Sequence, residues 1–311
     1  MYIGWIAGAT VVALLVWLIW KIGVISQNPK KLPNQAQPAS PYTELTFKSS
    51  GSSLKGWLLK PEQDNSSGKE MRQGDAGAVG EPKDKQGGLL PLVIVAHGWN
   101  SNRSRVLRYT KPLLAEGYAV FVYDARCHGD SDTIKTASAL MFRDDIEAAV
   151  QAVSSVPGID PGRIAVLGHS LGGFGTLLAL PRGLPVRAVI TDSTPTRPAT
   201  MLKAEFKRRK LPYFPLGLFI MPIWLWRAGI SWSEYKTAQI PLALTANETG
   251  RQVPVLMVHC KGDDFIPADD LRRLTLVCKV NTLFVDGSGH SVSDKDPEFW
   301  RRVIPFLRDN L

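Results

Sequence analysis

The sequence G-H-S-L-G at residues 168–172 constrains the fold of this chain more than any other feature. It stands between an apolar run of strand length, residues 164–167, and a helix-like segment, residues 174–179. Glycines two residues before and two residues after a serine permit a tight turn from strand to helix, which holds the serine oxygen clear of the sheet. The N–H of Leu171 would then lie at a helix N-terminus, where a negative oxygen is stabilised. The pattern predicts an α/β protein with Ser170 at a nucleophile elbow.

A second backbone donor is predicted upstream of the elbow. Residues 91–96 form an apolar run typical of a buried strand, and the run ends in His97-Gly98-Trp99. Proteins with a nucleophile elbow take one oxyanion N–H from the residue after the serine and another from a loop after the third strand. The N–H groups of Leu171 and Trp99 are therefore the candidates for an oxyanion hole.

A base and an acid are predicted downstream of the elbow. Two strand-like apolar runs, residues 255–259 and 282–285, lead to Asp263 and His290 respectively. A serine is a poor nucleophile at its free pKa, so His290 would take its proton as the attack begins. Asp263 would hold the imidazole in the required tautomer and stabilise the imidazolium. Three orders of a catalytic serine, histidine and aspartate along the chain are known, and the order Ser, Asp, His is typical of only one of them.

Together these motifs resemble the α/β-hydrolase superfamily over residues 42–311. In that family the turn after the seventh strand often has the pattern H-G-x-x-D-x-x-V-P, which aligns with residues 259–267 and selects Asp263 as the acid. Cys260 takes the place of the usual glycine. Without the resemblance, Asp264 or Asp192 remains open as the acid.

A fourth motif also resembles the family. Residues 124–131 match its D-x-R-G-x-G-x-S turn after the fourth strand, with Cys127 in place of a glycine. The resemblance implies an α/β-hydrolase fold, with a mostly parallel, doubly wound sheet and a helical lid. It also implies hydrolysis by a triad of Ser170, His290 and Asp263 that requires no cofactor.

Length and composition suit one such domain with additions. A chain of 311 residues with 44% hydrophobic residues can fill a sizeable core. The five histidines and three cysteines show no metal-ligand spacing, so no metal site is predicted. The odd number of cysteines predicts no disulfide framework, which suits a reducing compartment.

The first addition is an apolar N-terminus. Residues 2–20 contain no charged residue and are rich in Ile, Val, Leu and Trp. At about 1.5 Å per residue the run is about 28 Å long, close to the thickness of a bilayer core. A secretory signal peptide would need a basic start, a shorter apolar stretch and an A-x-A-like cleavage site, whereas the first basic residue here is Lys21. We predict an uncleaved transmembrane anchor over residues 2–25.

Two polar segments flank the first strands of the domain. Residues 26–41 are rich in Pro, Gln and Asn and predict a linker between the anchor and the hydrolase domain, residues 42–311. Residues 62–88 are rich in Gly, Lys, Glu, Asp and Gln, and cannot bury enough apolar surface to offset the entropy of ordering. We predict a flexible insertion there.

The second addition, residues 195–250, lies where this fold usually inserts a lid. Residues 195–236 hold eight basic and two acidic residues and so carry most of the net charge of +9. Residues 211–226 within them are uncharged and aromatic-rich, and Pro222 is expected to break any helix there. Two interpretations stay open: contact with an anionic membrane surface, or a soluble lid whose apolar face covers the pocket.

The sequence predicts a membrane-anchored serine hydrolase that cleaves carboxylic esters, with hydrophobic acyl groups favoured, through an acyl-enzyme on Ser170. A peptidase or amidase of the same fold, or a catalytically silent, membrane-tethered binding protein, is the alternative. The expected partners are a small-molecule or lipid ester and the membrane; no motif supports nucleic-acid binding. Because Lys21, Lys30 and Lys31 follow the uncharged run of residues 2–20, the catalytic domain is expected in the cytoplasm.

Overall fold

The computed structural model describes residues 2–62 and 88–311, so the insertion predicted at 62–88 lies, apart from its two end residues, outside the described residues. Alternating strands and helices build the described part. The strands are β1 (Tyr42–Ser49), β2 (Ser52–Leu59), β3 (Leu90–Ala96), β4 (Ala119–Tyr123), β5 (Ile159–His169), β6 (Ala188–Asp192), β7 (Val255–Gly262) and β8 (Asn281–Ser288). The helices are α1 (Tyr2–Ser26), α2 (Thr110–Ala115), α3 (Ala139–Ser154), α4 (Leu171–Ala179), α5 (Pro198–Arg208), α6 (Leu216–Ala228), α7 (Trp232–Thr237), α8 (Ile240–Thr249), α9 (Ala268–Thr275) and α10 (Pro297–Asn310).

The described strands form one sheet in the order β1-β2-β4-β3-β5-β6-β7-β8. Strand β2 pairs antiparallel with both β1 and β4, and every pairing from β4 to β8 is parallel. Parallel neighbours place their carboxyl ends at one edge of the sheet, where the loops carrying the predicted site residues meet. The predicted mostly parallel sheet is confirmed.

The core lies on both faces of the sheet. Along β3, Leu92 and Ile94 belong to one buried cluster, whereas Val93 and Val95 belong to the other. The first cluster includes residues of α3 and α4, and the second includes residues of α10. The strand is apolar at every position because helices cover both of its faces.

Helices α5 to α8 lie between β6 and β7 and form the predicted lid. Helix α6 continues through Pro222 to Ala228, so the expectation that Pro222 breaks the helix was wrong. A proline removes a single intrahelical hydrogen bond, and packing holds this helix together. Its Ile220 is fully buried beside Leu202 and Phe206 of α5.

The segment 26–41, predicted as a linker, lies against the hydrolase domain. The Asn34 amide donates to Asp124 Oδ2 at 3.0 Å, and the Lys31 ammonium donates to the Ser131 carbonyl at 2.8 Å. The Asn102 amide donates in turn to the carbonyl of Pro33 at 2.9 Å. These contacts place the C-terminal end of α1 at a defined position on the domain.

Candidate active site

Strand β5 ends at His169 and helix α4 begins at Leu171, so Ser170 occupies the turn between them. Its φ of 53° and ψ of −120° are strained for a residue with a side chain. A Cβ on Gly172 would overlap the backbone carbonyl of Ala96, which explains why the elbow needs glycine there. The local sequence thus positions the serine at the edge of the sheet.

Ser170 and His290 line the same cleft, together with Gly98 and Trp99. The Ser170 side chain is almost fully buried, and the His290 ring is partly buried. Among the described residues, no hydrogen bond joins Ser170 Oγ to the His290 ring. Such bonds are often long in the absence of substrate and tighten when it binds.

Asp263 is the carboxylate that the structure brings to His290. Its Oδ2 lies 2.8 Å from His290 Nδ1, and its side chain is inaccessible to solvent. Its Oδ1 accepts the backbone N–H groups of Phe265 and Ile266, each at 2.9 Å. Burial raises the pKa of Asp263, but hydrogen bonds from His259 and His290 outweigh burial and hold it well below its usual range. The carboxylate is therefore ionised wherever the protein is folded near neutral pH.

The two other candidate acids have different surroundings. Asp264 is exposed and lines the cleft. Asp192 is fully buried at the end of β6, and its Oδ2 accepts the Tyr109 hydroxyl at 2.5 Å. Neither carboxylate forms a hydrogen bond with His290 among the described residues.

His259 is a site residue to which the sequence interpretation assigned no role. Its Nε2 lies 2.8 Å from the Ile266 carbonyl and 3.4 Å from Asp263 Oδ2. The ring is buried and bridges the end of β7 to the loop that carries the acid. The first position of the H-G-x-x-D pattern was the signal that could have identified it.

The two backbone N–H groups predicted as oxyanion donors donate to no competing backbone partner within the described ranges. Leu171 is the first residue of α4, so its N–H has no partner within the helix. The Trp99 N–H makes no hydrogen bond in the described part of the chain. A Cβ added to Gly98 would lie 2.7 Å from Ser170 Cβ, so the loop after β3 passes close to the serine.

Buried histidines support this loop. The Ala125 N–H donates to His97 Nε2 at 3.0 Å, and His97 Nδ1 lies 2.7 Å from the Gly98 carbonyl. The ring is thereby fixed as the neutral tautomer that carries its proton on Nδ1. Burial lowers the pKa of His97 to about 4 and that of neighbouring His128 to about 3. His97 thus connects the end of β3 to the end of β4.

The cleft is rimmed by basic side chains. Arg105, Arg108, Lys207 and Arg208 all line it. Arg108 pairs with Asp294 at 3.1 Å, and Arg208 pairs with Glu205 at 2.8 Å. No group of three or more potential metal ligands occurs in residues 2–62 or 88–311, and all three cysteines are free.

Sequence and structure comparisons identify relatives of this chain. A family model for the alpha/beta hydrolase family matches residues 93–303. The chain belongs to this family. The protein YqkD of Bacillus subtilis is 27% identical over 229 residues, which are 70% of this chain and 71% of that protein. The bis(hydroxyethyl) terephthalate hydrolase of Streptomyces coelicolor is 32% identical over 104 residues, which are 33% of this chain and 32% of that protein.

Solved structures agree on the fold. The esterase Pf2001 of Pyrococcus furiosus matches with a TM-score of 0.64 at 19% identity, over 91% of this chain and 96% of that chain. The predicted alpha/beta hydrolase fold is confirmed. One departure of this alpha/beta hydrolase from the family pattern has a backbone consequence: Cys127 adopts a left-handed conformation with φ of 65°, which glycine adopts without strain.

Proposed function

We propose that this alpha/beta hydrolase is a membrane-anchored serine hydrolase that cleaves carboxylic esters through an acyl-enzyme on Ser170. One observation carries the proposal: Ser170 and His290 share a cleft, and His290 Nδ1 lies 2.8 Å from the buried, ionised Asp263. A nucleophile, a base and the group that orients the base therefore meet at one end of the sheet.

Each group has one chemical task. Ser170 Oγ attacks the ester carbonyl while His290 Nε2 takes its proton, and the carboxylate of Asp263 stabilises the imidazolium. The N–H groups of Leu171 and Trp99 receive the oxyanion, where loss of one donor typically costs about 3 kcal/mol of barrier. When the C–O bond breaks, His290 returns the proton to the leaving alcohol. Water then attacks the acyl-enzyme while His290 takes its proton. His290 returns that proton to Ser170 Oγ as the bond between Ser170 and the acyl group breaks, and the carboxylic acid is released.

Two relatives support esters as the substrate class. The names of the S. coelicolor terephthalate hydrolase and the P. furiosus Pf2001 protein describe enzymes that act on esters. A mainly apolar cavity beside the oxyanion residues favours a hydrophobic acyl group. The apolar side chains of Leu171, Phe174 and Met201 in its lining suit an acyl chain.

Helix α1 supports membrane anchoring. The most apolar 18-residue stretch within Trp5–Ser26 has a mean hydropathy of 2.1, and only 6% of that stretch is buried against the rest of the chain. The lysines that follow the apolar run favour a cytoplasmic hydrolase domain.

The basic cluster at residues 207–210 contributes fewer free charges than the sequence suggests. Arg208 and Arg209 both pair with Glu205, at 2.8 and 2.6 Å, whereas Lys207 and Lys210 are exposed. Since paired charges attract a membrane less, we propose that the exposed apolar residues of α6 supply most of the lid's membrane affinity.

Labelling with a fluorophosphonate probe tests the mechanism. The full chain in detergent should be labelled and should hydrolyse a panel of p-nitrophenyl esters. Ser170→Ala should lose the label and nearly all turnover, because only the oxyanion hole and binding would remain. The partly buried Ser101, on the same cleft, provides a matched control: Ser101→Ala should be labelled and active. Unchanged turnover by Ser170→Ala would refute the serine mechanism, and hydrolysis of peptides in preference to esters would refute the substrate class.

A further inference from the structure

A second cavity adjoins the cleft that holds Ser170. Its lining is mainly apolar, as is usual for small-molecule sites. Trp99 lines both the cleft and this cavity. Leu171 also lines the cavity, and Phe174, Met201 and Leu225 continue its wall. An acyl chain whose carbonyl oxygen meets the N–H groups of Leu171 and Trp99 would therefore begin at the mouth of an apolar cavity.

The end of the N-terminal helix forms part of this wall. Ser26 and the following residue, Gln27, line the cavity, and both are buried. Gln27 Nε2 donates to the Trp224 carbonyl at 2.8 Å, and Gln27 Oε1 accepts Arg227 Nε at 2.9 Å. Trp224 Nε1 donates to Ser26 Oγ at 3.1 Å. Since these bonds satisfy the amide of Gln27, the chain is held at the cavity by specific contacts with α6.

Helices α1 and α6 also pack directly on each other. A Cβ on Gly23 would lie 2.8 Å from Ile223 Cγ2, so the two backbones approach closely there. The rings of Trp20 and Trp226 meet edge to face at 5.7 Å. The pair behaves as one unit that leads from the apolar run of α1 to the cavity.

The outer surface of this helix pair is apolar. Leu218, Phe219 and Trp226 of α6 are between 50% and 73% exposed, and nearly all of α1 before its last two turns is exposed. A soluble protein rarely leaves so large an apolar surface in water. A bilayer that surrounds α1 would cover the adjoining surface of α6 as well.

We propose that the acyl chain of a membrane lipid ester enters this cavity directly from the bilayer along the paired helices α1 and α6, and that the end of the anchor is part of the acyl-binding site. This inference rests on the proposed ester hydrolysis. The anchor then does more than hold the enzyme at the membrane: it forms a wall of the substrate site. Among the described residues that line the cavity, Glu205 is the one acidic residue, and its carboxylate is paired with Arg208 and Arg209.

Filling the cavity tests the acyl site. Met201→Trp in the full chain should lower the ratio of kcat/KM for p-nitrophenyl decanoate to that for p-nitrophenyl acetate by about tenfold or more. Leu218→Trp, which adds an indole on the exposed face of α6, should leave the ratio as in the wild type. Ile230→Trp narrows the same cavity from the turn after α6 and should reproduce the change. If both cavity variants lose kcat/KM equally on the two esters, the assignment of this cavity as the acyl site is refuted.

Separating the helices tests the route from the bilayer. Gly23→Leu should lower hydrolysis of a decanoyl ester embedded in phosphatidylcholine vesicles by about tenfold relative to the same ester in detergent micelles. Gly8→Leu is the matched control on the same helix, because a Cβ there meets no atom within 4 Å. A vesicle-to-micelle ratio equal to that of the wild type in Gly23→Leu would overturn the bilayer route. Absence of Ser170-dependent hydrolysis of every ester by the wild type would instead refute the proposed function.

Discussion

Asp263→Asn tests how the proposed triad depends on one buried carboxylate. Asp263 Oδ1 accepts two backbone N–H groups, and Oδ2 faces the nitrogens of His290 and His259. An asparagine can keep the backbone bonds with its amide oxygen, and its NH₂ group would then face the two rings. His290 Nδ1 would have to accept that hydrogen bond, which places the ring proton on Nε2 and removes the lone pair that Ser170 needs.

The magnitude follows from this exchange of donor and acceptor. A triad with the wrong histidine tautomer typically loses about four orders of magnitude in kcat, which corresponds to about 5 kcal/mol of barrier. The cost in folding stability should be smaller, about 1–3 kcal/mol, because the backbone bonds to Phe265 and Ile266 can remain. KM should change little, because Asp263 is inaccessible to solvent and does not line the cleft.

The assay measures kcat and KM of the full chain on a soluble short ester, with thermal denaturation of the same samples. Asp264→Asn is the matched control on the neighbouring exposed residue and should be mild. Asp192→Asn should also retain turnover, since an asparagine still accepts the Tyr109 hydroxyl. A kcat for Asp263→Asn within about tenfold of the wild type, or a larger loss in either control, would refute the assigned acid.

Two stability predictions concern the support of the site. Gly172→Ala should destabilise the fold by about 1–3 kcal/mol, because its Cβ would overlap the Ala96 carbonyl; an unchanged urea midpoint would contradict this. Acidification should destabilise the native state because burial holds the pKa of His97 at about 4 and that of His128 at about 3, below 6.5 in the unfolded chain. The contribution of each neutral ring to the free energy of unfolding is complete above the pKa of the unfolded chain. It decreases by up to about 1.4 kcal/mol per pH unit for each ring as the pH falls toward the pKa of the folded state. Burial lowers the pKa of His259, but its hydrogen bonds outweigh burial and raise the pKa above the ordinary value, so His259 opposes the loss. Burial also holds the pKa of His169 well below its usual range, which adds to the loss. Urea midpoints near neutral and mildly acidic pH check the sign, and a midpoint that rises on acidification would refute it.

Local sequence was sufficient to predict the elbow and the strands around it. A turn from strand to helix depends on the few residues that form it. Gly172, two residues after Ser170, therefore predicts the turn without knowledge of the rest of the chain. Residues 92–96 of β3, 164–167 of β5 and 255–258 of β7 are buried on both faces, and their apolar runs identify them by composition alone. The resemblance to a known family then selected Asp263 over its neighbour, which composition could not do.

Tertiary structure alone decided how the additions relate to the site. Gln27 meets Trp224 across 197 positions of the chain, and Asn34 meets Asp124 across 90. Such pairings depend on which surfaces the folded domain brings together, and neither the polar composition of residues 26–41 nor the apolar run of α1 specifies a partner. The sequence determined that this chain has a nucleophile elbow and an apolar N-terminal helix. Only packing decided that the end of that helix forms a wall of the cavity beside the oxyanion residues, because a cavity exists only between elements that have already been assembled.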